Sequence, residues 1–114
     1  MDIRIITKPI TCAEAKEIAK EFYVDMVKGV VDVKRGIVAL GGEWHIDANV
    51  LLTAQGSKQR DVWGFNLHFN KPPQEQIEYI SLINIRPADG NFDMVVQDES
   101  RRNLMRVIIE KLIV

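Results

Sequence analysis

The chain has 114 residues, 46% hydrophobic and 27% charged, with 15 basic and 16 acidic side chains and a formal net charge of −1. That balance fits one folded domain over residues 1–114 with a real core, and it excludes a disordered chain. It also gives no global reason to bind nucleic acid or an anionic membrane surface.

The opening stretch MDIRIITKP lacks the pattern of a signal peptide. No apolar run approaches the ~18–20 residues that a membrane span requires. Cys12 is the single cysteine, so an intramolecular disulfide and a Cys-rich zinc motif are both excluded. The expected compartment is a reducing cytoplasm.

Ile3–Thr7 is a short β-rich run stopped by Lys8-Pro9, and it reads as a strand. Thr11-Cys12-Ala13-Glu14 fits a capping box, with Thr11 and Glu14 each bonding the other's backbone N–H. Ala15, Ile18, Ala19, Phe22 and Met26 recur at helical spacing, which predicts an amphipathic helix to about Lys28, stopped by Gly29. Residues 30–33 and 36–42 flank Lys34-Arg35 and read as a hairpin, with Gly36 supplying a positive φ. The second strand is expected to continue through Glu43-Trp44-His45-Ile46. Asp47–Gln55 is either a short helix capped by Asp47 or a turn followed by a strand over Val50–Thr53. Bracketing turn residues favour the strand.

Asp61–Phe69 is the clearest strand. Trp63, Phe65, Leu67 and Phe69 alternate with Val62, Gly64, Asn66 and His68, and the aromatic face must be core. Residues 70–76 form a polar loop. Glu78–Arg86 reads as a further strand, apolar on both faces in its middle and therefore central or covered. Residues 87–91 read as a turn, and Met94–Val96 as a short edge strand. Asp98 caps a last helix whose stripe is Leu104, Met105, Ile108 and Leu112. The expected fold is α+β: an antiparallel meander of about five to six strands, with an N-terminal and a C-terminal helix packed on one face.

The stretches VVDVKRGI, GGEWHID, GSKQRDVWG and SLINIRP, followed by an Asp-capped helix carrying Arg101, resemble an uncharacterised prokaryotic family. It is a small domain of unknown function. The resemblance runs from Lys8-Pro9 to the last helix. It implies a shared set of polar positions, including Glu43, His45, Asp47, Ser57, Gln59, Asn84 and Arg86, and it implies no activity. The chain departs from the family pattern at Phe92-Asp93 and at residues 66–68.

Glu43, His45 and Asp47 alternate, so on a strand they would share a face at about 6.5–7 Å intervals. That spreads them too far to make a metal site alone, and no metal is expected. Asn84 and Arg86 alternate on the strand expected to be most buried. An arginine there needs a carboxylate, with Glu43, Asp47 and Asp61 as options, or it marks an anion site. The candidate ligand-binding set is therefore Glu43, His45, Asp47, Gln59, Asn84 and Arg86. Gly56-Ser57-Lys58-Gln59 lacks the order of a phosphate loop and reads as a turn. Arg101, Arg102 and Arg106 cluster at the start of the last helix and read as a solvated face. Trp44, opposite His45, is either core or an interface anchor.

The leading expectation is a small binding or interaction domain with a polar sheet-face site for a small anionic ligand or partner. A homodimer is expected from the apolar end Leu112-Ile113-Val114 and from exposed sheet edges. The alternative is a hydrolase or transferase with His45 as base and Arg86 binding an anionic group, which requires the two to share a pocket. Nucleic-acid binding through Arg101, Arg102, Arg106 and Lys111 is disfavoured by the near-neutral charge.

Overall fold

The computed structural model describes residues 2–114. Met1, the first residue of the stretch read for a leader pattern, lies outside them. The chain runs β1 (Arg4–Ile6), α1 (Cys12–Ala19), β2 (Met26–Asp32), β3 (Ile37–Leu40), α2 (His45–Ala54), β4 (Val62–His68), β5 (Ile77–Glu78) and α3 (Glu99–Leu112). The strands form one antiparallel five-stranded sheet in the order β1-β3-β2-β4-β5. This is the α+β architecture expected, with the terminal helices on one face.

That face holds the larger part of the core. Ala15, Ile18 and Ala19 of α1 and Met105, Ile109 and Leu112 of α3 pack with Val31, Val38, Trp63 and Phe65 of the sheet. Both helices start as the sequence predicts. Glu14 N–H donates to Thr11 Oγ1 at 3.1 Å, and Thr11 N–H donates to Glu14 Oε1 at 3.2 Å. Ser100 N–H donates to Asp98 Oδ1 at 2.9 Å. The β2–β3 turn is also as expected, with Gly36 at φ 68°. Asp32, fully buried, secures it by accepting from Lys34 and Arg35 N–H at 2.9 Å and from Ser57 Oγ at 2.6 Å.

Four elements differ from expectation. The first helix ends at Ala19, and Met26–Asp32 is the central strand. The run around Val27, Val30 and Val31 favours a pleated, buried surface over a helix. Gly29 is therefore no helix stop. It lies in β2 under the Phe65 ring, where an added Cβ would stand 2.4 Å from Cζ. Second, the strand ending at Leu40 does not continue through His45. Gly41 and Gly42 have φ of 114° and 91°, a backbone region that turns the chain off the sheet and that other residues rarely adopt. Third, His45–Ala54 is a helix and not a turn and strand. It covers the second face, where Ala48 and Leu52 pack on Val30, Ile37, Ala39 and Val62. Fourth, the strand expected over Glu78–Arg86 is limited to Ile77–Glu78, and residues 80–97 form an irregular loop with short 3-10 turns. Within it Ile80 bridges to Val95, so the edge segment expected at 94–96 is a single bridge.

The apolar chain end is used internally. Leu112 is buried, and backbone bonds of 2.8–2.9 Å join Leu112 and Val114 to Ile10 and Cys12. Leu112, expected to support self-association, is thus spent on the chain's own core, while Val114 stays 67% exposed.

Candidate functional site

The helix α2 disperses the alternating trio of the sequence. Glu43 lies before the helix, exposed, and its carbonyl accepts from the Tyr23 hydroxyl at 2.7 Å. Asp47 lies in the first turn, half-buried, with Oδ2 enclosed and without a hydrogen-bond partner. His45 opens the helix with only 8% of its surface exposed. Its Nε2 lies 2.8 Å from the Phe65 carbonyl. A carbonyl only accepts, so Nε2 carries a proton. Burial, the largest cause, pushes the His45 pKa down to about 4, with the Phe65 carbonyl opposing and Lys28 adding to the shift.

Gln59, Asn84 and Arg86 hold the scaffold. The Gln59 amide exchanges two hydrogen bonds with Asn49, at 2.9 and 3.0 Å. β5 is too short to pair with β4 at Gly64, and the side chain of Asn84 takes its place. It accepts from Gly64 N–H at 2.8 Å and donates to the Gly64 carbonyl at 3.0 Å and the Met94 carbonyl at 3.1 Å. A Cβ on Gly64 would meet Ser81 at 2.6 Å, so the loop crosses β4 closely only because that position is glycine. Asn91 closes the same loop by donating to the carbonyls of Asn84, Asp93 and Val95.

Arg86 donates to the carbonyls of Gln59 and Val62. Its guanidinium lies 3.6 Å from the ring centre of Trp63, over which Arg101 also stands at 4.1 Å. The carboxylate within reach is Asp89, at 4.0 Å, rather than Glu43, Asp47 or Asp61. Burial, foremost, pulls the Arg86 pKa down. Arg102 caps the carbonyls of Val96 and Gln97 at 2.6 and 3.0 Å, so the basic group opening α3 is partly structural.

His45 and Arg86 do not converge. The Trp63 ring beneath Arg86 belongs to the α1/α3 layer. His45 instead lines a groove on the other face with Lys28 and Asn66, and Arg86 does not line it. The acid/base reading required a shared pocket and loses that condition. Among the described residues, no three His, Cys, Asp or Glu side chains are grouped so as to hold a metal ion.

The groove has a volume of about 360 Å³. Its floor holds the cross-strand pair Lys28 and Asn66, and Glu78 stands opposite Asn66 on the next strand, outside the lining. Lys28 Nζ lies 3.4 Å from Asn66 Oδ1, and Asn66 Nδ2 donates to Glu78 Oε1 at 2.8 Å. The Asn66 bond, followed by His68, holds the Glu78 carboxyl below its usual range. Burial pulls the Lys28 pKa down, against the attraction of Glu78. No carboxylate lies within 4.0 Å of Lys28 among the described residues. The walls are apolar: Trp44 and Ile46 on one side, Leu82 and Met94 on the other. Trp44 is 60% and Leu82 74% exposed.

Of the candidate ligand-binding set only His45 lines this groove, joined by Trp44, which the sequence offered as core or interface anchor. Lys28 was hidden inside an over-extended helical pattern. Asn66 was visible as a polar residue on the second face of β4, beside His68, and that alternation was the available signal.

The fold and groove define a small antiparallel α+β domain with an open, apolar-walled cleft over a polar sheet row. The chain belongs to the DUF5674 family, described as protein of unknown function, whose sequence model matches residues 4–112. No curated protein and no solved structure matches the chain. Among the described residues no helix is long and apolar enough to cross a membrane.

Proposed function

We propose that this protein is a binding domain for a small amphiphilic anion, held in the groove with its acidic head at Lys28 and its apolar body against Trp44, Ile46, Leu82 and Met94. The carrying observation is Lys28, a half-buried cation that has no carboxylate within 4.0 Å among the described residues, on the floor of a cleft with apolar walls. A part-buried ammonium gains most from an anion that also displaces water from its surroundings. The volume falls in the range of small-ligand sites, and an apolar lining with a few placed polar groups is their usual composition. His45, neutral, shapes the floor and contributes no charge. The single cysteine, exposed and free, supports the reducing cytoplasm as the working compartment.

Decanoate, decanol and inorganic phosphate test the reading through the fluorescence of the protein, since Trp44 is exposed in the groove and Trp63 is buried. Decanoate is expected to bind more tightly than decanol or phosphate. Lys28→Met is expected to weaken decanoate by roughly tenfold, the loss of one charge-assisted contact, and to leave decanol unchanged. Equal binding of decanoate by the wild type and the variant would sink the assignment of Lys28.

A further inference from the structure

We propose that β1 is the interface of a two-fold dimer, pairing antiparallel with β1 of a second copy so that Ile5 stands opposite its own counterpart. β1 is the end strand of the sheet, bonded only to β3, and residues 3–8 make no other backbone hydrogen bond among the described residues. Such an edge is a template for another strand. Beside it runs an open apolar groove between Ile3 and the outer side of α2, lined by Asp47, Val50, Leu51 and Ala54. Val50 is 58% exposed there. A second β1 laid along the edge closes the open side of that groove.

Charge selects the occupant and the register. A two-fold axis normal to the sheet requires opposed side chains to share a face, so the possible registers differ in steps of two residues. With Ile5 opposite Ile5, Asp2 faces the partner's Lys8 and Lys8 faces the partner's Asp2, giving two opposite-charge pairs. Arg4 then faces the partner's Ile6. The next register on one side sets Arg4 against the partner's Arg4. The next on the other sets Arg4 against the partner's Lys8. Like charges directly opposed destabilise a sheet pair, and opposite charges support it. Among the described residues neither Asp2 nor Lys8 has an ion pair within its own chain. The chain bends at Thr7 and Lys8 just after β1, and the long Lys8 side chain spans that bend. The strand is short, so the contact lies at the small end of protein interfaces and its dimer is concentration-dependent.

Sedimentation equilibrium over a concentration series at low salt tests this. The wild type is expected to dimerise reversibly, and more weakly at high salt. Asp2→Lys is expected to raise the dimer dissociation constant by roughly tenfold, through two symmetric pairs turned repulsive. Adding Lys8→Asp to that variant is expected to restore it. Both positions are exposed, and an unchanged far-UV spectrum identifies variants that fold. A wild type that stays monomeric at millimolar concentration overturns the proposal. So does a dimer insensitive to Asp2→Lys, or one that the double exchange fails to restore.

Discussion

His45 donates from Nε2 to a β4 carbonyl in a nearly closed site, and its pKa of about 4 lies below the 6.5 of an unperturbed histidine. The unfolded chain therefore takes up a proton first as pH falls. His45 leaves stability undiminished above pH 6.5, and its destabilising contribution grows as pH falls from 6.5 to about 4. The cost at the bottom of that window is roughly 3 kcal/mol, from the conversion between pKa and free energy. Urea unfolding at pH 7 and pH 4.5 should show it. His45→Gln, whose amide still offers a donor, is expected to flatten the pH dependence across that window by most of this amount. A variant whose stability falls as steeply as the wild type's would remove His45 as the cause. At this scale the sequence was legible in residue type and not in role. The histidine was singled out, but alternation along an assumed strand paired it with Glu43 and Asp47 instead of Lys28 and Asn66.

Among the elements, α2 decides where the groove lies. It begins where Gly41 and Gly42 leave the sheet, and it covers Val30 and Val62 but not the Lys28–Asn66–Glu78 row. Gly41 has φ 114°, and an added Cβ would stand 2.7 Å from the Asp2 carbonyl oxygen. Gly41→Val is expected to destabilise the protein by about 2–4 kcal/mol, strain and clash together, measured by chemical denaturation. A change below about 0.5 kcal/mol would contradict the strain assigned to this turn. The glycine pair stands in the sequence, but the expected strand ran through it to Ile46, because the positive φ that turns the chain off the sheet is not written in residue type alone. The helix beyond stayed ambiguous because α2 is apolar on its exposed side as well: Ile46 and Val50 are 50% and 58% exposed. No amphipathic stripe marked it as helical, whereas the Asp98 cap and most of the stripe made α3 legible as a helix, though Leu104 is exposed and Ile109 takes its place in the core.

Across the whole molecule, the two faces of the sheet were legible to different degrees. The α1/α3 face followed from the alternation of Trp63, Phe65 and Leu67, because large apolar residues at period two have one place to go. On the other face, beside α2, the loop over residues 80–97 is tied to β4 by the Asn84 side chain, twenty residues from Gly64, which no local pattern reveals. Asn84→Ala is expected to cost about 2–4 kcal/mol, since it orphans the buried N–H and carbonyl of Gly64. It should also raise amide hydrogen exchange across residues 80–97 more than in α1 or α3. Uniform loss of protection would mean that the loop is not a separately held unit.

The central strand has a kinetic consequence. Val30 pairs with Ala39 across a tight turn on one side and with Gly64, far along the chain, on the other. Hairpins close in microseconds, whereas pairings between distant segments wait on the entropy of closing a long loop. During refolding the β2–β3 hairpin therefore forms early and holds the valine-rich edge of β2 open until β4 arrives. That interval is when the chain is most prone to capture by other unfolded chains, and dilution should protect its refolding yield more than its native state.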